Sequence, residues 1–488
     1  MLAYKRTLVL FAALLLTSSL LLLSFWHPNL SFTLLNEPEA TPEAAIIASN
    51  GPNTPASQAV VDETNELFDY DTGLDDPLHP YASLVGAPTS RFRDNLRPDK
   101  KYMTSWISAG WTNDVMTYGN LLYLALISDR IPILPMFTPS HIGGGVPPIA
   151  FGEVFDLPRL RKLLGKPILE WRDVKVLPVS YEPEDTEDLG CWNLWQTVQY
   201  REAIPRFLYL HCSRSISPDI SYTQMPETVK LIPHFEHDPH ASFWQLAPYA
   251  YPDARNAALA NFKPQPSPLH NATLPPDEHM VCYDYLYYVC GSQPYEYDYD
   301  YSPAWNNVVQ HMHWVPSLQE LADKYVRTAM GISDEVSPSL AATPPYISIH
   351  IRHGDFKDWC GVVPVADCFA SIDVIARRVR EVQMELHDKH NIRADTVIMT
   401  SDERDPDWWA SVEEMGWLRI DHTHTIERYG DWYPVFIDAV IQSGGAGFVG
   451  TDRSTMSILA RRRVQSWRKS GTGVVRTIKW GTVGADDH

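Results

Sequence analysis

The sequence predicts an α/β fold with two Rossmann-type halves built on parallel sheets, and three observations carry that reading. From Pro316 onward, segments with helical period alternate strictly with short apolar runs rich in β-branched residues. Such alternation implies parallel strands with helices on both faces. A second, shorter alternation begins near Lys101. The third observation is the run Tyr346-Ile-Ser-Ile-His-Ile-Arg-His-Gly-Asp-Phe356, an apolar strand that delivers His350 and Arg352 to its carboxyl end and turns through Gly354 into Asp355. Open α/β sheets bind their ligands at that edge.

The elements follow in order. Leu8 to Trp26 is an almost uninterrupted apolar run preceded by Lys5 and Arg6, long enough to span a bilayer and flanked so that the amino terminus stays cytosolic. The expected organisation is a cytosolic tail at 1–6, a transmembrane signal anchor at 7–26 and a flexible stem at 27–97, rich in Pro, Ala and acidic residues. An amino-terminal α/β domain at 98–330 and a carboxy-terminal Rossmann-like domain at 340–482 form the head. This makes the chain a single-pass type II protein of the endoplasmic reticulum or Golgi membrane with a luminal head.

In the first domain Trp106 to Gly110 reads as a strand, Thr112 or Asn113 caps a helix reaching Asp129, and Ile131 to Phe137 is the next strand. The stretch from Thr138 to Val315 is dense in Pro and aromatic residues and has no clean period. In the second domain Ser317-Leu-Gln-Glu320 has capping-box spacing and starts a helix ending at Gly331. After the strand ending at Arg352 come a helix over Asp367 to Lys389 and a strand over Thr396 to Thr400. Asp405 then caps a helix with Pro406 in its first position and Gly416 past its end. Leu418 to Asp421 is a strand, Trp432 to Ser443 a helix, Gly447 to Gly450 a strand, Ser454 to Trp467 a helix and Val474 to Ile478 the last strand.

Charge and cysteines narrow the function. A net charge of −20 argues against nucleic acid as a partner. The segment from Thr451 is nevertheless basic, with eight Lys or Arg against three Asp or Glu; Arg461, Arg462 and Arg463 read either as a basic surface for an anion or as a solvated helix face. Six cysteines and no CxxC spacing point to luminal disulfides rather than zinc, with Cys282/Cys290 and Cys360/Cys368 the expected pairs. Asn271-Ala-Thr273 is a usable glycosylation sequon.

Three strand ends carry polar clusters: His350/Arg352/Asp355, Thr400-Ser-Asp402-Glu403, and Gly450-Thr-Asp-Arg-Ser-Thr455. In one parallel sheet they face one crevice. A guanidinium suits phosphate or carboxylate, and the hydroxyls of Thr451, Ser454 and Thr455 with the first-turn amides of the following helix can receive phosphate oxygens. Ser454 and Thr455 read equally well as plain helix caps.

These residues resemble a known family. His-Ile-Arg-His-Gly-Asp at 350–355, Thr-Ser-Asp-Glu at 400–403, and Asp438 thirteen positions before Thr451 are similar to the elements of the GDP-fucose-dependent O-fucosyltransferase and α1,6-fucosyltransferase superfamily. Ser-Ala-Gly-Trp-Thr-Asn-Asp at 108–114 is similar to its amino-terminal element. The resemblance spans roughly Lys101 to Lys479 and is more specific in the second domain. It implies a GT-B-like fold and inverting, metal-independent transfer of fucose from GDP-fucose to a protein or glycan hydroxyl, with no cofactor. Arg352 would neutralise the leaving phosphate, and Asp355 would hold the turn and the arginine. His350 and Asp438 would contact guanine or ribose, and Thr451, Ser454 and Thr455 the diphosphate. Gly110, Asn113, His353 and Asp402 join the nucleotide-sugar contacts, Asn113 near sugar and acceptor. His353 stands where some members have a second arginine, and the general base is unassigned, with Asp114, Asp355 and Asp358 as choices.

Competing readings are another nucleotide sugar on the same scaffold or a non-catalytic carbohydrate-binding relative. Arg352-His-Gly also starts the histidine acid phosphatase signature, but Phe356 and Asp358 occupy its arginine and proline positions. Asp298-Tyr-Asp300 and Asp405-Pro-Asp407 have the spacing of a cation-holding DxD, read here as structural. His234, His237 and His240 are interrupted by Pro233 and Pro239, Gly143-Gly-Gly145 reads as a surface loop, and Trp192, Trp195 and Trp244 suit core packing or sugar stacking.

Overall fold

The structure, a computed structural model, describes residues 76–106, 109–143, 145–177, 186–200, 218–231, 239–332, 343–468 and 471–486. The expected tail, anchor and the stem to residue 75, with Cys212, His234 and His237, lie outside the described residues. No helix among the described residues is long and apolar enough to cross a membrane.

In chain order the strands of the amino-terminal half are β1 (Tyr102–Trp106), β2 (Ile131–Leu134), β3 (Leu169–Glu170), β4 (Glu187–Asn193), β5 (Pro218–Gln224), β6 (Ala241–Ser242), β7 (Met280–Tyr285) and β8 (Val289–Cys290). Those of the carboxy-terminal half are β9 (Tyr346–Ile351), β10 (Thr396–Ser401), β11 (Leu418–Arg419), β12 (Gly447–Thr451) and β13 (Val474–Ile478). The first sheet runs β3-β2-β1-β7-β4-β5 and the second β11-β10-β9-β12-β13, while β6 and β8 pair apart. Every strand pair in both sheets is parallel. The second order is the doubly wound one, and its direction reverses between β9 and β12.

Six helices matter for the site: α1 (Trp111–Ile127), α2 (Pro316–Ala329), α3 (Ile372–His390), α4 (Pro406–Glu414), α5 (Tyr433–Gly444) and α6 (Thr455–Trp467). β9 is buried along its whole length because helices cover both faces. Gly447 lets α3 close on the sheet: a Cβ there would lie 2.3 Å from Val382 Cγ1. The described residues form one compact unit.

Several sequence expectations need correcting. Residues 76–97, expected as stem, belong to the head: Leu84, Phe92 and Leu96 are buried with Leu169, Trp171 and Cys282, and Phe92 N donates to Glu187 Oε2 at 2.9 Å. The first strand lies at Tyr102–Trp106 rather than at 106–110, because it is Tyr102 that aligns with Ile131 and Met280. Gly110, not Thr112 or Asn113, occupies the cap of α1. The capping box at Ser317 does not form, since Pro316 takes the first helical position and Val315 the cap. The long helix after β9 starts at Ile372, capped by Ser371, because Phe369 is extended after the short helix Val365–Cys368.

The cysteine pairing also differs. Cys191 bonds Cys282, joining β4 to β7, and Cys360 bonds Cys368 as expected. Cys282 and Cys290 do not pair; Cys290 sits on β8 against β6 as a buried thiol. Arg461, Arg462 and Arg463 are no solvated face. Arg461 pairs with Asp298 and Arg462 with Asp300. Arg463 is buried, its guanidinium 4.2 Å from the Trp314 ring, and burial pushes its pKa down to about 9. Helix α6 therefore follows a strand of the second sheet yet grips residues of the amino-terminal half.

Candidate active site

The reversal between β9 and β12 brings two strand ends together. Arg352 N donates to Thr451 Oγ1 at 3.0 Å, and Thr451 Oγ1 donates to the carbonyl of His350 at 3.3 Å. The Arg352 guanidinium is held from two sides, Nη2 on Asp355 Oδ1 and Nη1 on Asp402 Oδ2, each at 2.7 Å. Its side chain keeps 29% exposure, and a guanidinium carries five N–H donors, so two carboxylates fix its plane without exhausting it. Gly354 makes this possible: a Cβ there would stand 2.1 Å from Asp402 Oδ2.

The neighbouring histidines face inward. His350 is buried with Nδ1 2.8 Å from Ser457 Oγ on α6. Burial lowers its pKa to about 4, with Arg352 acting in the same direction and Asp402 against it, so the ring is neutral near pH 7. His353 donates its backbone N–H to Asp402 Oδ1 and its Nδ1–H to Glu403 Oε2, each at 2.8 Å. Its ring lies 4.3 Å from that of Phe369, tilted by 42°, and burial lowers its pKa. Burial opposes ionisation of Glu403, but the amides of Asp405 and Arg404 together with His353 hold its pKa at about 2. His353 thus locks the Asp402-Glu403 turn instead of offering a second charge to the crevice.

At the carboxyl end of β10, where Ser401 Oγ donates to the carbonyl of Ile351, opens a cavity of about 470 Å³ whose wall includes Thr400, Ser401, Trp409, Arg419, His422 and Asp438. The Arg419 guanidinium lies 3.9 Å from the Trp409 ring centre. Asp438 Oδ1 sits 3.0 Å from His422 Nε2, whose other nitrogen is 3.1 Å from Thr425 Oγ1. Asp438 therefore faces this cavity and His350 does not line it.

Two helix starts meet at the same place. Thr455 Oγ1 donates to Asn113 Oδ1 at 2.9 Å, and Thr112 and Thr455 hydroxyls are 2.7 Å apart. Ser454 caps α6, its Oγ accepting from Ser457 N. Gly110 caps α1 with the His141 ring 3.4 Å from where a Cβ would stand. The positive ends of α1 and α6 thus converge next to Arg352 and Thr451.

The remaining marked residues divide clearly. Asp114 is buried and accepts from Ala109 N at 3.2 Å, bracing the loop before α1. Asp358 is exposed. Asp298 and Asp300 are engaged by Arg461 and Arg462, and Asp405 caps α4. Trp192 is buried, whereas Trp244 is largely exposed. Gly144 lies outside the described residues. Among the described residues Asp188, Asp219 and His270 have metal-ligand spacing, but they sit where β4 and β5 begin, the edge opposite the crevice.

Sequence reasoning missed Ser457, His422, Trp409 and Arg419. A hydroxyl one helical turn after the Ser454 cap was the available signal for Ser457; the others depend on how β10 and β11 align.

No protein-family model matches the sequence, and no curated protein matches it. Among solved structures the chain is similar to POFUT1 in complex with GDP-fucose, at 14% identity and a TM-score of 0.46, covering 79% of this chain and 99% of that one. It is similar to POFUT1 in complex with GDP, at 14% identity and a TM-score of 0.45 over the same shares. It is also similar to the fucosyltransferase NodZ from Bradyrhizobium, at 10% identity and a TM-score of 0.37, covering 78% and 96%.

Proposed function

We propose that this chain is a glycosyltransferase that moves fucose from GDP-fucose to a hydroxyl of a protein or glycan acceptor, with inversion and without a metal or other cofactor. The observation that carries the reading is the meeting of Arg352, Thr451 and the starts of α1 and α6 at the reversal of a doubly wound sheet. In the transfer the bond from the sugar carbon to the diphosphate oxygen breaks and the acceptor oxygen takes its place. Negative charge grows on the diphosphate, where a fixed guanidinium and helix amides stabilise it most.

The adjoining cavity supports a guanine base. Guanine presents a ring N–H and an amino group side by side, two donors that suit the Asp438 carboxylate, and the Trp409/Arg419 wall suits its flat face. The fucosyl group rests on the resemblance of 350–355, 400–403 and 438–455.

No general base is assigned. Asp355 and Asp402 are both engaged by Arg352, and Asp114 is buried beneath the loop. A dissociative route suits this arrangement: the bond to the diphosphate breaks first, the acceptor oxygen adds from the opposite face, and its proton then passes to solvent. The head is proposed to be luminal, in the endoplasmic reticulum or Golgi, anchored through 7–26. Arg352→Ala tests the assignment: hydrolysis of GDP-fucose and transfer should both be lost, and an unchanged rate removes Arg352 from the mechanism.

A further inference from the structure

Immediately after the Arg352 clamp the chain presents apolar side chains to solvent. Asp355–Trp359 is a single 3-10 helix, and Cys360 is tied to Cys368, closing a short loop. Trp359 is 74% exposed, Val362 fully exposed and Val365 47% exposed. The base of this loop is held firmly: Phe356 packs on Trp480 at 4.6 Å, and Trp480 Nε1 donates to the Asp452 carbonyl at 2.9 Å. A stapled loop loses little freedom when it binds, and an exposed tryptophan is a common anchor of interfaces.

The loop carries both signs, but its cation has a partner and its outer carboxylates do not. Asp358 and Asp367 are exposed and make no ion pair among the described residues, while Lys357 lies 3.7 Å from Glu403. Val362 and Val365 add aliphatic surface to the tryptophan on this stapled loop, which suits an apolar side chain, while the carboxylates of Asp358 and Asp367 suit a neighbouring Lys or Arg. Resting on the fucosyl-transfer reading, we propose that the Trp359-Val362-Val365 loop is the docking surface for a polypeptide acceptor, one that presents an apolar side chain next to Lys or Arg near the accepting hydroxyl.

The test uses the full chain, labelled GDP-fucose, two pools of short Thr-containing peptides flanked by Leu with either Lys or Glu, and a pool of neutral oligosaccharides. Donor hydrolysis by water, measured on the same preparations, reports the nucleotide site separately. Lys-flanked peptides should be labelled in preference to both other pools. Trp359→Ser and Val362→Ser should each raise the peptide KM about tenfold, with hydrolysis reporting whether the nucleotide site is intact. Joint Asp358→Lys and Asp367→Lys replacement should turn the preference toward Glu-flanked peptides. Donor hydrolysis without peptide labelling, preferential labelling of oligosaccharides, or an unaltered charge preference overturns the docking surface. Absent donor hydrolysis in the unmodified chain overturns the underlying function instead.

Discussion

Thr455 Oγ1 donates a hydrogen bond to Asn113 Oδ1 at 2.9 Å, tying the first turn of α6 to the first turn of α1 across the two halves of the head. With that proton committed, the Thr112 hydroxyl is the donor in its 2.7 Å contact with Thr455. Asn113 and Thr112 do not cap α1; with Thr455 they align two helix starts. Thr455→Val and Asn113→Ala are each expected to weaken GDP binding about tenfold, and the double variant to lose little more than either single one, because both remove one shared contact. Calorimetry on the three variants measures this.

Gly354 is expected to tolerate no side chain. A Cβ would stand 2.1 Å from Asp402 Oδ2, the oxygen that holds Arg352 Nη1. Gly354→Ala should cut donor hydrolysis about a hundredfold through misplacement of the guanidinium while the melting temperature moves little. Activity and thermal melting on one preparation separate the two effects.

Acid should destabilise the head in two stages. His350 titrates at about 4 in the folded chain, down from an ordinary 6.5, as does His313, and in both burial is the main cause. The unfolded chain therefore binds more protons between those values, and stability falls as pH drops from 6.5 to 4, by up to about 3 kcal/mol for the fully buried His350 and by less for the half-buried His313, which water screens. Glu403, lowered to about 2, adds a further loss below its ordinary 4.5. His350→Gln keeps a partner for Ser457 and should shrink the upper stage to the share of His313. Urea unfolding at pH 7, 5 and 4 reads the slopes.

The two disulfides should differ in weight. Cys191–Cys282 spans 91 residues and links two neighbouring strands of the first sheet, whereas Cys360–Cys368 spans 8. On loop-closure entropy the first contributes about 4–5 kcal/mol and the second about 2–3 kcal/mol. Replacing both members of the first pair by Ala should lower the midpoint of denaturant unfolding more than replacing both of the second.

What could be read from the chain followed the regularity of its pattern. The second half alternates cleanly, so Asp405, Pro406 and Gly416 bounded α4 from sequence alone, and β9 could be placed to within a residue. In the first half β3, β6 and β8 have two residues each, too short for any period to show. The partner of Cys282 depended on β4 and β7 lying side by side after a long excursion, which spacing does not record. His353 looked like a substitute for an arginine, yet local polarity could not reveal that Glu403 would turn it inward. Arg461, Arg462 and Arg463 were misread because Asp298, Asp300 and Trp314 reach α6 only through the tertiary fold.

The central claim is that the crevice beside Arg352 receives a guanosine diphosphate. Calorimetry of the full chain with GDP, ADP and UDP, each with a chelator present, tests it most directly. GDP should bind at least about tenfold more tightly than the other two, as expected where a buried hydrogen-bonding group reads the base. Equal affinities for all three, or no binding of GDP, would contradict the account.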